Sequence, residues 1–127
     1  MIDHVTIGVS DLERSRIFYE AVLAPLGFEE ANVYDVLPDE IEFGPEGAHD
    51  FAISTAYPVG APIHVAFAAD SRDQVDAFHA AGLIAGGSDN GAPGVRAQYS
   101  AGYYGAFLLD PDGHNVEAVA HGHQQPE

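Results

Sequence analysis

The stretch that decides the fold is His4–Gly27, HVTIGVSDLERSRIFYEAVLAPLG, because a weaker copy of it returns at His64–Gly87 as HVAFAADSRDQVDAFHAAGLIAGG. The two copies align without a gap, and they share their first histidine, a central phenylalanine and their last glycine. An internal repeat of this length marks a duplicated supersecondary unit. The chain is therefore predicted to contain two related modules.

Each copy has the pattern of a strand followed by a helix. Apolar residues alternate with small or polar ones over positions 5–9, which is typical of a strand. The stretch Ser10–Glu13 then supplies a capping box for a helix over about 11–24. The second copy predicts a helix over about 71–82, and Gly82 is expected to end it.

Short strands separated by turn residues are predicted after each helix. They are expected at about 28–36, 40–44 and 49–56 in the first half, and at about 84–87, 95–100, 103–109 and 114–121 in the second half. The turn Asp110–Gly113 makes a hairpin of the last two strands. The glycine-rich segment 86–94 is interpreted as a connector, with a lid over a site as the alternative.

These elements predict an α+β fold in one domain spanning 1–127. Module one covers about 1–58, module two about 62–121, and a short tail 122–127. With 127 residues and 46% hydrophobic content, the chain can bury one core but not two.

Composition limits the function classes. The chain has no cysteine, which excludes disulfides and thiolate chemistry, so any metal must be held by His and carboxylate side chains. Twenty acidic residues against four basic ones give a net charge of -16, which disfavours nucleic acid and anionic membrane surfaces as partners. The acidity indicates either a solvated surface or attraction of cationic ligands. We find no apolar run of transmembrane length and no signal-peptide pattern, and we expect a soluble, cytoplasmic protein.

Three residues stand out as candidates for chemistry. His4 and His64 occupy the same place in the two copies, and Glu117 lies in an otherwise apolar strand. A buried carboxylate is costly without a cation or hydrogen-bond donors. If a pseudo-twofold axis relates the copies, the two histidines can converge on Glu117; hydrogen-bonded polar groups without a metal are the alternative.

The sequence resembles the vicinal oxygen chelate superfamily, which includes glyoxalase I, extradiol dioxygenases and bleomycin resistance proteins. IDHVTIGVSDLERSRIFYEAVLAPLGF is similar to the family's opening strand and helix, IHVAF to its fifth strand, and YYGAFLLDPDGHNVEAV to its closing hairpin. The resemblance implies two βαβββ modules forming a half-open curled mixed sheet, commonly in a homodimer. It also implies that His4, His64 and Glu117 bind one divalent metal ion, and the ligands do not choose among Fe, Mn, Ni, Co and Zn.

The resemblance implies a small glyoxalase-like metalloenzyme in which the cation chelates a small oxygenated substrate, in lyase, isomerase or dioxygenase chemistry. Two departures leave the branch and the general base unassigned. The acidic fourth-strand ligand of glyoxalase I falls at Ser54, with Asp50 on the same side of the strand, and the tyrosine of extradiol dioxygenases falls at Phe107. A metal-free dimeric ligand or antibiotic sequestration protein of the bleomycin-resistance type is the alternative.

Candidate substrate-binding residues are Arg96, Tyr99, Tyr104 and His49. Because neighbours along a strand face opposite sides, Tyr103 and Tyr104 cannot both point into a pocket. We interpret His79 as an exposed helix residue and His114 as a surface residue of the hairpin.

Overall fold

The computed structural model describes residues 1–31 and 38–122, so part of the strand predicted at 28–36 and residues 123–127 of the predicted tail lie outside the described residues. The described strands are β1 Val5–Gly8, β2 Phe28–Glu30, β3 Glu40–Pro45, β4 Phe51–Ser54, β5 His64–Ala68, β6 Ser88–Val95, β7 Tyr103–Leu109 and β8 Asn115–His121, and the helices are α1 Leu12–Leu23 and α2 Arg72–Ile84.

The strands form two four-stranded mixed sheets that repeat one topology. Their strand orders are β1-β4-β3-β2 and β5-β8-β7-β6. In each sheet the first pair is parallel and the other two pairs are antiparallel. The predicted α+β fold of two βαβββ modules, open rather than closed into a barrel, is confirmed.

Both helices begin at side-chain caps close to the predicted positions. Asp11, rather than Ser10, caps α1 by accepting a hydrogen bond from the backbone N–H of Arg14. Ser71 caps α2 in the same way. No helix within residues 1–31 and 38–122 is long and apolar enough to cross a membrane.

Gly82 does not end the second helix, contrary to the prediction, because α2 continues to Ile84. A Cβ at position 82 would lie 2.3 Å from Leu108 Cδ1 and 3.1 Å from Val22 Cγ1. The glycine therefore allows the helix to pack closely against the core, and this contact cannot be read from a local pattern.

The glycine-rich segment is a strand, so the predicted strands at 84–87 and 95–100 and the predicted connector or lid at 86–94 are wrong. Residues 88–95 form β6, which pairs with β7 in a register that shifts between Asp89 and Gly91 and again between Gly91 and Gly94. Such bulges accommodate glycines and bend an edge strand without ending it. Strand patterning alone missed β6 because the segment has few apolar side chains.

One apolar core joins the two modules. It contains buried side chains of α1, α2 and both sheets, including Phe18, Phe51, Phe67, Phe78 and Val116. The Phe51 and Phe67 rings, one from each sheet, meet edge to face at 5.1 Å. Residues that alternate with these core residues along the strands point to the other face of each sheet, which is left available for a site.

Two histidines are buried, contrary to their interpretation as surface residues. His114 is 1% exposed, and its Nε2 donates to the Gly8 carbonyl at 2.9 Å while its Nδ1 accepts from the Ile63 N–H at 3.2 Å. This ring therefore joins the last hairpin to module one. His79 is 7% exposed because it packs beneath β6, where its Nε2 lies 2.9 Å from Asp89 Oδ1.

Candidate metal and ligand site

The outer face of the second sheet carries a small cavity of about 270 Å³, which we call the module-two cavity. Glu117 on β8 lies directly opposite Phe107 on β7 and Ala66 on β5, so their side chains share one face. The cavity is lined by His64, Tyr99, Tyr103, Phe107 and Glu117. The apolar residues that alternate with Glu117 on β8 face the core instead.

Glu117 is buried at the floor of this cavity, and both of its carboxylate oxygens have a partner. The side chain is 1% exposed, its Oε1 lies 2.8 Å from His64 Nε2, and its Oε2 accepts a hydrogen bond from the Tyr103 hydroxyl. A Cβ at Gly105 would lie 3.2 Å from Glu117 Oε2, so the glycine leaves room for the carboxylate. The carboxylate in an apolar strand is therefore sustained by one imidazole and one phenol.

Tyr103 lines this cavity although it is not among the four predicted substrate-binding residues. The sequence does indicate which face Tyr103 occupies, because a hairpin closed at the predicted turn Asp110–Gly113 places Phe107 opposite Glu117. Side chains alternate along β7, so Tyr103 shares the Glu117 face. Burial, followed by the hydrogen bond to Glu117, raises the pKa of Tyr103 to about 12, although the Arg96 charge acts in the opposite direction.

His4 lies apart from this pair within one chain. Its side chain is 61% exposed, and its Nδ1 lies 2.8 Å from Asp3 Oδ1. The hydrogen bond to Asp3, followed by the charge of that residue, raises the pKa of His4. Among residues 1–31 and 38–122, no three His, Asp or Glu side chains lie close enough together to hold a metal ion. A single chain therefore brings together His64 and Glu117 of the predicted triad and leaves His4 outside.

His4 belongs to an acidic surface on the first sheet, which we call the module-one face. Negative charge from Glu42 and Glu40 on β3 reaches His4, and His49 contacts Glu42. A hydrogen bond between the two carboxyl groups raises the pKa of Glu40 and lowers that of Glu42. Glu40 on β3 lies directly opposite Ser54, the β4 position at which glyoxalase I has its acidic ligand. A carboxyl group is therefore present on the neighbouring strand instead.

The four predicted substrate-binding residues divide between three places. Arg96 stands over the Phe107 ring, with 5.4 Å between its Cζ and the ring centroid, and Tyr99 lines the cavity. Tyr104 faces α2, where its hydroxyl donates to Asp76 Oδ1 at 2.7 Å. His49 lies on the module-one face. The structure thus places Tyr99 in the cavity with His64 and Glu117 and places Arg96 over Phe107, which also lines the cavity, whereas Tyr104 and His49 lie elsewhere.

Residues 1–118 match the model of the Glyoxalase/Bleomycin resistance protein/Dioxygenase superfamily. The chain therefore belongs to this superfamily, which confirms the resemblance found in its sequence. A comparison with curated proteins gave no match.

Solved structures support the same assignment. A glyoxalase/bleomycin resistance protein from Albidiferax ferrireducens is 35% identical and has a TM-score of 0.77, over 93% of this chain and 97% of that one. A lactoylglutathione lyase from Agrobacterium tumefaciens is 16% identical with a TM-score of 0.70, over 100% of this chain and 98% of that one. A family enzyme from Burkholderia phytofirmans is 21% identical with a TM-score of 0.71, over 94% and 98%. The last two likenesses show the fold alone.

Proposed function

We propose that this chain is a small glyoxalase-like metalloenzyme that acts as a homodimer. In this proposal a divalent cation is held by His64 and Glu117 of one copy and by His4 of a second copy. The observation that carries the proposal is the 2.8 Å contact between His64 Nε2 and Glu117 Oε1 at the floor of an open cavity.

The donor set fits a divalent transition metal. Imidazole nitrogen and carboxylate oxygen are the ligands of the two-histidine, one-carboxylate sites that keep positions open for substrate. Tyr103 occupies Glu117 Oε2 and leaves Oε1 directed toward His64. Ligating side chains are oriented by such outer partners, and a hydrogen-bonded carboxylate is a common feature of metal sites.

A second copy is the source that we propose for the third ligand. β1 and β5 are edge strands of their two sheets; His4 immediately precedes β1, and His64 is the first residue of β5. Edge strands present unpaired backbone groups that can pair with another chain. Ile2 and Ile63 are large apolar residues beside these edges, and they are 79% and 40% exposed. A symmetric contact through these edges would bring the module-one face of one copy to the module-two cavity of the other.

The chemistry follows from these positions. A cation bound there would polarise neighbouring oxygens of a substrate and stabilise enolate or alkoxide charge. Phe107, Tyr99 and Tyr103 would exclude water from one side of the substrate. Glu40 and Glu42 would arrive with His4 of the second copy, and the hydrogen bond between them raises the pKa of Glu40 and lowers that of Glu42.

Metal content after gel filtration tests the proposal. The untagged parent, reconstituted separately with Fe, Mn, Ni, Co and Zn, is expected to retain about one ion per chain. Glu117→Gln keeps the shape of the side chain but removes the ligand charge, so this variant is expected to retain none. Asp89→Asn is the matched control, because Asp89 forms a similar contact with His79 outside the cavity. Full retention by Glu117→Gln, or equal loss in both variants, would reject the site.

A metal-free sequestration protein of the bleomycin-resistance type is the second candidate. It is favoured by the absence of a three-ligand cluster within the described residues of one chain, and by the contacts that His64 and Tyr103 make with the two carboxylate oxygens of Glu117. The net charge of -16 would then attract cationic ligands. Failure of the parent to bind any of the five metals, together with saturable binding of a cationic antibiotic, would favour this candidate.

A further inference from the structure

Arg96 is placed differently from the other arginines of this acidic chain. Arg14 and Arg16 form ion pairs with carboxylates, and Arg72 lies over the Tyr104 ring on the α2 side. Arg96 is on the cavity side of the second sheet, and it has no ion pair with any described carboxylate. A guanidinium that lies over a cavity-lining ring, Phe107, and has no carboxylate partner among the described residues is suited to pairing with an anionic ligand.

The guanidinium is held in place by the backbone of β6. Its Nη1 donates to the Gly94 carbonyl at 2.8 Å and its Nη2 to the Ala92 carbonyl at 2.7 Å. The two bulges of β6 lie in this part of the strand. A guanidinium has five N–H donors, so three are left for a ligand after these two bonds.

Two glycines make room for this arrangement. A Cβ at Gly91 would lie 3.2 Å from Arg96 Nη2 and 3.0 Å from Phe107 Cδ1, and a Cβ at Gly94 would lie 3.1 Å from Arg96 Nη1. In the sequence GAPGVR of residues 91–96, the two glycines thus allow the backbone to hold the guanidinium above the Phe107 ring. A preorganised cation loses little freedom when a ligand binds.

The cavity beside Arg96 is aromatic and small. The His64 ring lies 6.2 Å from the Phe107 ring with an interplanar angle of 37°, and Tyr99 packs on Tyr103 at 5.0 Å. Because the His64 ring and the Arg96 guanidinium both lie close to the Phe107 ring, the two groups are within about a dozen ångströms of each other. A volume of about 270 Å³ is at the lower limit of ligand pockets, which suits a single ring.

We infer that the module-two cavity binds a small aromatic carboxylate, whose acid group pairs with Arg96 and whose ring packs on Phe107 and Tyr103. This inference deepens the proposed function and rests on it, because the same cavity is taken as the substrate site. A ligand seated in this way directs the far end of its ring toward His64 and Glu117. Oxygen substituents at that end would reach the proposed cation, whereas a carboxylate there would be far from Arg96.

Binding of benzoate and benzamide to the full chain tests the inference. The two probes have the same ring and differ in charge. The titration is made calorimetrically after chelator treatment, so that no metal can ligate the carboxylate. Benzoate is expected to bind one per chain and roughly tenfold or more tighter than benzamide, which corresponds to one charge-assisted pair.

Arg96→Gln is expected to reduce benzoate binding to the level of benzamide. Arg72→Gln is the matched control, since it also removes an arginine stacked on an aromatic ring, and it should leave the preference intact. Equal affinity for the two probes, no binding of either, or equal effects of the two variants would overturn the inference. Because this titration is free of metal, its failure is distinguishable from failure of the proposed metal site.

Discussion

Removal of one oxygen atom from Tyr103 should destabilise the protein through its effect on Glu117. Tyr103→Phe keeps the ring and its packing but deletes the hydrogen bond to Glu117 Oε2. A hydrogen bond to a charged group contributes about 1.5–3 kcal/mol. The cavity is open, so water can partly replace the hydroxyl, and we expect the free energy of unfolding to fall by about 1–2 kcal/mol.

Thermal and urea unfolding of the metal-free protein, followed by circular dichroism, measure this change. A loss of this size should lower Tm by roughly 4–8 °C. Tyr99→Phe is the control: the ring lines the same cavity and packs on Tyr103, while the residue is 60% exposed. Surface substitutions of this kind usually change stability by less than about 0.5 kcal/mol. Equal unfolding midpoints for Tyr103→Phe and the parent would refute the reasoning that Tyr103 sustains the buried carboxylate.

Three further changes test the fold and the site. His114→Ala removes a buried ring and leaves two backbone groups without partners, so it should cost about 2–5 kcal/mol in urea unfolding; a cost under about 1 kcal/mol would contradict the assigned joint between modules. Gly8→Ala places a Cβ 2.2 Å from the Pro58 carbonyl oxygen, and overpacking against backbone should cost at least about 1–3 kcal/mol, measured in the same way. Burial is the main cause that raises the pKa values of Tyr19 and Tyr103, and the neighbouring carboxylates add to it. The folded state therefore retains these protons to higher pH than the unfolded chain does, and the free energy of unfolding should fall as the pH rises from 10 toward 12. Phenolate absorbance should accordingly lag behind that of the unfolded chain in this range, and coincident titration curves would disprove the shifts.

The repeat and the hairpin turn made most of the fold predictable. The helices predicted at 11–24 and 71–82 lie at 12–23 and 72–84, and the strand predicted at 103–109 has those bounds in the structure. These elements have regular apolar periods and clear caps or turns. β6 was missed because its stability comes from pairing with β7 rather than from its own side chains.

The candidate site was predictable where it depends on strand position and not where it depends on three-dimensional placement. The turn at 110–113 sets the register that puts Tyr103 on the same face of the sheet as Glu117, and that information is present in the sequence. The position of the Arg96 guanidinium cannot be predicted from the sequence, because it depends on the bulges of β6 and on the space left at Gly91 and Gly94. The separation of His4 from His64 depends on how the two sheets lie, which no local pattern specifies.

The most direct test of the central claim, a cation site shared between two copies, is a mixing experiment with His4→Ala and Glu117→Gln. In a symmetric dimer each site would take His4 from one chain and Glu117 from the other. A mixed dimer then has both substitutions in one site and an intact second site. Neither variant alone should retain metal, and an equimolar mixture after subunit exchange should regain about a quarter of the parental content. A mixture that stays empty while the parent binds metal, or full retention by either variant alone, would contradict the shared site.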